Sequence, residues 1–388
     1  MDSQTRVLTA LNHEDPDRVP LLELGIDSIP VIRKYRKRRR SARGSLIKMG
    51  RSITGWKGIY DFVASRPLSM GFLGERIVNF FKKIGYDVAV VPVSLFLHTF
   101  FSSTEYVDEC GRKFKFSKLE SGDKQVNIAY YDGGYFDTED PEATYDEFDP
   151  LDPDLKAREA AYVSAVQAAK RDIYVVPAIQ GFLEPAWEAF GFTTFTKLLY
   201  SKPEFIERVF RERGDFSVAV AENMMNLGAE TILLFDDAGL KHSTFLSPKM
   251  YEGLVVPQLK RICDKVHSYD GKLILHSCGN LYKILDLIIG AGIDALHPWE
   301  STAGMDIFKA KEDYGTKLTL IGNVPLDLLT HGTPQEVETY VKKLMKVCAP
   351  GGGYILSSGH SIAHSVTLEN YEAMLEAARK YGTYPINL

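Results

Sequence analysis

Residues 272–278 read KLILHSC. The run is short and apolar without alternation, which suits a parallel strand buried on both faces rather than a strand with one wet side. It ends in His276 and Cys278. Side chains two apart on an extended strand point to the same face, so both groups can reach one ion. Imidazole and thiolate are good zinc ligands. Cys is also a common small core hydrophobe, so the pair alone fits either a metal site or a plain buried strand.

Working outward, similar runs recur at 19–23 (VPLLE), 87–94 (DVAVVPVS), 173–179 (IYVVPAI), 231–237 (TILLFDD), 293–300 (IDALHPWE), 318–324 (LTLIGNV) and 354–360 (YILSSGH). Helical patterns separate them. Ser247-Pro248 supplies an N-cap and first helical residue, Thr333-Pro334 with Glu336 a capping box, and Thr367 and Gly382 the start and stop of a last helix; Pro257 predicts a kink. Eight strands alternating with helices predict an α/β fold of the (β/α)8 TIM-barrel type, one domain over 1–388. A doubly wound sheet is the weaker reading, because no G-x-G-x-x-G follows an early strand, and no G-x-x-x-x-G-K-[ST] is present. The stretch 96–170 does not fit the repeat. It carries a hairpin-like pattern at 103–118 (STEYVDECGRKFKFSK) and an aromatic, Gly-rich segment at 130–136 (YYDGGYF), and reads as a lid inserted between strands 2 and 3.

Barrel enzymes work where the C-terminal ends of the strands converge. Those ends supply Glu23, Ser94 with His98, Gln180 with Glu184, Asp236-Asp237, His276 with Cys278, His297 with Glu300, Asn323 and His360. Such a concentration of metal ligands and acid/base groups favours the metal reading of H-x-C.

The 388 residues are 45% hydrophobic and 25% charged, an ordinary globular composition. A net charge of −5 argues against a general nucleic-acid binder. Four Cys without a C-x-x-C pair point to a reducing compartment. The N-terminus lacks an apolar signal core and no long apolar run occurs, so a soluble cytoplasmic protein without membrane contact is expected. Residues 33–43 (RKYRKRRRSAR) form a basic run, either a solvated loop or a docking patch for an anionic partner.

DPDRVPLLE (15–23), LLFDDAGL (233–240), LSPKMYEGLVVPQLKRI (246–262), LILHSCGN (273–280), GMDI (304–307), LTLIGNV (318–324), GTPQEV (332–337) and APGGGYILSSGHSIAHSVTLENYEAM (349–374) together resemble the uroporphyrinogen-decarboxylase superfamily, and within it the cobalamin-dependent methyltransferase branch. The resemblance covers nearly all of the chain outside about 30–85 and 96–170 and implies a (β/α)8 barrel. It further implies a zinc ion held by the H-x-C pair and by a Cys on the loop after the last strand. His276 and Cys278 match the pair; Gly359-His360 stands where the branch has Gly-Cys, so His360 becomes the third ligand. Glu184 is the candidate fourth, and His364 the fallback for His360. The Arg pattern after the first strand of true decarboxylases is absent from LGIDSIPVIRKYRKRRR (24–40).

Two jobs for such a zinc stay open: holding a coenzyme M-type thiolate that takes a methyl group from methylcobalamin, or activating a methylated substrate for attack by Co(I) of a corrinoid. A His, His, Cys set carries less negative charge than His, Cys, Cys and favours the second. The aromatics Phe96, Phe100, Phe101, Tyr130, Tyr131, Tyr135, Phe136, Phe182 and Trp187 are candidates for an apolar pocket that holds a methoxylated aromatic donor, or for packing of the insertion. Asp236, Asp237 and His297 are expected to hold or protonate the leaving oxygen, and Gln180 and Asn323 to contact a cofactor. The cobalt-ligand pattern D-x-H-x-x-G is absent, so the cobalamin is expected on a partner corrinoid protein, with a homodimer as a further option. A decarboxylase and a non-catalytic corrinoid-binding barrel are the lesser alternatives.

Overall fold

In the computed structural model, residues 1–36, 67–121 and 124–388 are described. Eleven strands appear among them: β1 Val88–Pro92, β2 Leu97–Phe100, β3 Glu105–Asp108, β4 Arg112–Ser121, β5 Lys124–Gly134, β6 Tyr174–Gln180, β7 Thr231–Phe235, β8 Lys272–His276, β9 Ala295–His297, β10 Thr319–Ile321 and β11 Tyr354–Ile355. Two sheets result. One is parallel and curled, in the order β1-β6-β7-β8-β9-β10-β11; the other is antiparallel, β2-β3-β4-β5.

Seven of the eight expected runs are thus strands of one parallel sheet. The run at 19–23 forms no ladder, but its backbone bonds to both edges. Leu22 N–H donates to Leu356 O and Leu356 N–H to Pro20 O, at 3.0 Å each, while Asp87 N–H donates to Leu21 O at 2.9 Å. Pro20 has no N–H to give, which breaks the regular pattern. At the same end Asp87 collects Arg6 Nη1 and Arg18 Nη1 at 2.7 Å, Leu21 N–H at 2.9 Å and Ser3 Oγ at 3.1 Å, which ties the N-terminal segment to the start of β1.

Side chains alternate into two cores, as the pleat requires. Leu22, Val88, Val90, Val176, Ala178, Leu233, Ile274, Ala295, Ile321 and Ile355 point inward, and helix Ser3–Leu11 closes their lower end with Val7, Ala10 and Leu11. Their neighbours along each strand face the surrounding helices. By this parity His276 and His297 continue the inward-facing rows of Ile274 and Ala295 at the end where chemistry is expected.

The helix signals are local and hold. Ser247 and Thr367 cap with their side chains, Thr333 and Glu336 form the capping box, Gly382 is the last C-cap, and Pro257 opens a second helix after a break at Val255. The expected insertion at 96–170 reaches too far. The antiparallel sheet occupies its first part, whereas helix Lys156–Ala169 packs against Pro67–Ile84 in the helical layer. A Cβ on Gly74 would lie 2.2 Å from Ala161 O, so the two helices approach through small residues. The antiparallel sheet is tied to helix Leu183–Phe190: Arg112 reaches Glu188 at 2.9 Å, and Tyr131 OH donates to Glu188 O at 2.7 Å. No described helix is long and apolar enough to cross a membrane. Most of the basic run, 37–43, lies outside the described residues.

Candidate metal centre

β8 delivers His276, and the turn after it delivers Cys278. Two glycines shape that turn. Gly279 has φ of +87°, and a Cβ there would lie 2.3 Å from the carbonyl carbon of Gly239, so the loops after β7 and β8 touch backbone to backbone. Gly239 N–H donates to Cys278 O at 3.1 Å, Cys278 N–H to Asp237 Oδ1 at 2.7 Å, and Gly279 N–H to Glu300 Oε2 at 2.8 Å. The backbone on both sides of the thiol is therefore fixed.

His360 arrives from the loop after β11. Cys278 Sγ lies 3.5 Å from His276 Nε2 and 3.6 Å from His360 Nδ1, and the three ligand atoms are all within 4.8 Å of one another. Tetrahedral zinc with its usual bond lengths places S and N ligands about 3.6 Å apart, so the spacing fits that ion. The electrostatics fit as well. Burial pushes the Cys278 thiol far above its ordinary value, and the carboxylates of Asp237, Glu300 and Glu184 push it the same way, marking a place of negative potential that suits a cation.

Behind His276 stands a chain of hydrogen bonds. His276 Nδ1 is 2.7 Å from His297 Nδ1, and His297 Nε2 is 3.2 Å from Ser357 Oγ. Burial lowers the pKa of His276 to about 3 and holds that of His297 well below the ordinary imidazole value, so both rings are neutral. If Nε2 of His276 faces a cation, its Nδ1–H donates to His297, which then carries its proton on Nε2 toward Ser357.

The family model for uroporphyrinogen decarboxylase (URO-D) matches residues 125–381. The chain belongs to this family. Methylcobamide:CoM methyltransferase MtbA of Methanosarcina acetivorans is 29% identical over 184 residues, 47% of this chain and 51% of that protein. Uroporphyrinogen decarboxylase of Coxiella burnetii is 26% identical over 196 residues, 49% of this chain and 52% of that protein. The match spans about half the length of these curated relatives. A methyltransferase from Methanosarcina mazei shares the fold with a TM-score of 0.65 at 18% identity, over 98% of this chain and 99% of that one. The URO-D family therefore holds relatives with and without methyltransferase in their names, and the donor set is what separates the two readings.

The remaining expected site residues of this URO-D chain have definite places. Glu184 stands outside the three-ligand group, 3.5 Å from Gln180 Nε2, and its carboxyl is pushed up to about 8 by burial and the charge of Asp237. Asp236 lies outside the three-ligand group; its carboxylate accepts the N–H groups of Leu183 and Glu184 at 2.9 and 2.8 Å and anchors that helix start. Gly181 permits this, since a Cβ there would lie 2.4 Å from Asp236 Cγ. His297 is fully buried with both nitrogens engaged. In this structure the contacts of Asp236 and His297 are with protein groups that fix a helix start and the His276 ring. Asp237 does face the cluster, with Oδ1 3.7 Å from His276 Nε2. Asn323 is buried; its Nδ2 donates to Trp299 O at 2.7 Å and its Oδ1 accepts from Tyr340 OH at 3.1 Å. His364 is exposed and lies outside the ligand cluster.

Of the two readings of the aromatics, packing describes several of them, while Phe101 and Tyr130 are exposed. Phe136 and Phe182 are completely buried, Phe136 among Tyr145, Phe148 and Phe190 and Phe182 against Phe210; Tyr131 packs edge-on against Trp187. Tyr131 and Phe136 thereby pack the antiparallel sheet and the segment after it onto helix Leu183–Phe190, while Phe182 packs within the helical layer. Sequence reasoning missed Ser357, Gly239 and Gly279, for which only the spacing of D-A-G after β7 and C-G after β8 gave a local hint. Ser94 was noted only as a strand end. It lies two residues past the end of β1, and its hydroxyl is buried without a hydrogen-bond partner.

Proposed function

We propose that the chain is a zinc-dependent methyltransferase that works with a corrinoid. His276 Nε2, Cys278 Sγ and His360 Nδ1 are the ligands, and the observation that carries this reading is their mutual spacing of 3.5 and 3.6 Å about the sulfur. A decarboxylase reading leaves this donor set without a task. We also read the sheet and the segment at 20–22 as a closed (β/α)8 barrel, with the antiparallel sheet as a lid over its mouth.

Bound zinc would supply Lewis acidity to the heteroatom of a methylated substrate, so that the methyl group is open to attack by Co(I) of a partner corrinoid protein. The chain does the rest. Ser357 and His297 hold the His276 ring with Nε2 turned to the ion, and Asp237 holds the backbone of Cys278. His360 is exposed, so a metal held by these three residues would be reached by substrate from that side. The free hydroxyl of Ser94 is a ready donor for a substrate oxygen. Two neutral imidazoles and one thiolate give the donor set a single negative charge, and this weak donation favours substrate activation, with a methoxylated aromatic as the methyl donor. The second reading is methyl transfer from methylcobalamin to a thiol, favoured by relatives named methylcobamide:CoM methyltransferase.

Zinc content and methyl transfer test the proposal together. About one zinc per chain is expected after mild purification, lost in Cys278→Ser, with methyl transfer from methoxylated aromatics to cob(I)alamin followed by absorbance. A wild-type chain that neither carries nor takes up zinc refutes the metal centre. Transfer only from methylcobalamin to a thiol would replace the first reading by the second.

A further inference from the structure

We propose that Glu23 is a positioning residue of the metal centre, setting His360 through the hydroxyl of Ser358. This inference rests on the metal reading above and adds to it a part of the chain far from the ligands in sequence.

His360 sits on a loop held from one side by the N-terminal segment. Leu22 N–H donates to Leu356 O at 3.0 Å, Ile362 N–H to Gly25 O and Asp27 N–H to Ile362 O at 2.9 and 2.8 Å, and Ser28 Oγ to Val366 O at 2.9 Å. In the middle of this clamp lies Glu23, with no exposed surface and no ion-pair partner among the described residues. Its carboxyl accepts Ser358 Oγ at 3.0 Å, Ser358 N–H at 3.2 Å and Leu24 N–H at 3.3 Å. Ser358 Oγ in turn lies 3.5 Å from His360 N. One hydroxyl therefore touches both the buried acid and the backbone of the ligand.

A buried carboxyl without a counter-charge is costly, and a strand end with a merely structural task is served more cheaply by an apolar residue. Glu23 follows the outward parity of Leu21, behind the strands, so it does not reach the ion; its effect passes through Ser358. Partners of this kind orient metal ligands and are worth about 10- to 100-fold in metal affinity.

The experiment compares Glu23→Ala, Glu23→Gln and Ser358→Ala with the wild type in full-length protein. Zinc affinity is read by competition with a chromophoric chelator, and the ligand set by the absorption of the Co2+ form. Glu23→Ala and Ser358→Ala are expected to weaken zinc binding about 10- to 100-fold. Both should keep the thiolate-to-cobalt charge-transfer band, since Cys278 is untouched, while the d–d bands move toward those of His360→Ala. Glu23→Gln, which retains an acceptor for Ser358, should recover part of the affinity. Wild-type affinity and spectrum in Ser358→Ala, with an unchanged melting midpoint, would overturn the proposal even if Glu23→Ala does not fold. Absence of zinc and Co2+ binding by the wild type would instead overturn the metal centre, and the proposal with it.

Discussion

Three Gly→Ala substitutions measure how firmly the backbone around Cys278 is fixed. At Gly228, φ is +90° and an added Cβ would meet nothing within 4 Å, so Gly228→Ala bears only the strain of a left-handed residue, about 1–2 kcal/mol. Gly279 has nearly the same φ, +87°, but its Cβ would lie 2.3 Å from the Gly239 carbonyl carbon and 2.6 Å from its Cα. Both are backbone atoms that no rotamer change can move, and overpacking adds about 1–3 kcal/mol, for a total of about 2–5 kcal/mol. Gly290 lies in helix Leu285–Ala291 with nothing within 4 Å of a Cβ, and Gly290→Ala should gain about 0.5–1 kcal/mol. Urea denaturation of the metal-free proteins ranks the three. Any relief of the clash at Gly279 must separate the two loops and shift Cys278, so Gly279→Ala should also lose zinc affinity, whereas Gly228→Ala keeps it. If Gly279→Ala is no less stable than Gly228→Ala and binds zinc equally well, the close approach does not constrain the site.

His297→Phe keeps an aromatic ring, slightly larger, but removes the acceptor of His276 Nδ1–H; zinc affinity by chelator competition should fall about 10- to 100-fold, and an unchanged affinity would detach His297 from the centre. Arg158 and Glu109 form a buried ion pair in which each is 1% exposed, so Arg158→Met should cost about 3–5 kcal/mol in urea melts, and Glu109→Leu added to it should recover most of the loss. Burial raises the Glu23 carboxyl from 4.5 to about 8, so the native state holds this proton more tightly than the unfolded chain. Its contribution to stability is full below about pH 4.5 and is lost as pH rises through about 8. Glu23→Gln should therefore flatten part of the fall in unfolding free energy between those limits, and an unchanged slope would contradict the burial argument.

What the sequence made legible follows the range of each interaction. Caps such as Thr333 with Glu336 involve neighbours in the chain and were readable directly. The apolar runs located seven strands, but each ladder stops near the first polar residue, as β8 does at His276, because the chain must turn there to present its chemistry. The insertion was drawn too long for a physical reason: helix Lys156–Ala169 buries a face of Ala residues against Gly71 and Gly74, and alanine leaves little contrast between its buried and exposed sides. The aromatics stayed open in a related way, since a ring is satisfied equally by a ligand pocket or by another ring, and composition does not choose between them.

The site divides along the same line. H-x-C is two residues apart and visible; His360 lies 82 positions from Cys278, and while it was readable as a strand-end residue, its role as a ligand entered through the family resemblance. The groups that hold the ligands, Ser357 behind His297, Asp237 under Cys278 and Glu23 behind Ser358, depend on how adjacent strands are staggered. A slip of one residue in the pairing of β8 with β9, where His276 stands opposite His297, would turn one imidazole from the inner face to the outer and leave the other without its partner. Register, which no single strand encodes, thus decides whether His276 offers a lone pair or a proton to the ion. For this reason the His297 and Glu23 substitutions are sharper tests of the metal centre than removal of the ligands themselves: they leave every donor atom present and change only its aim.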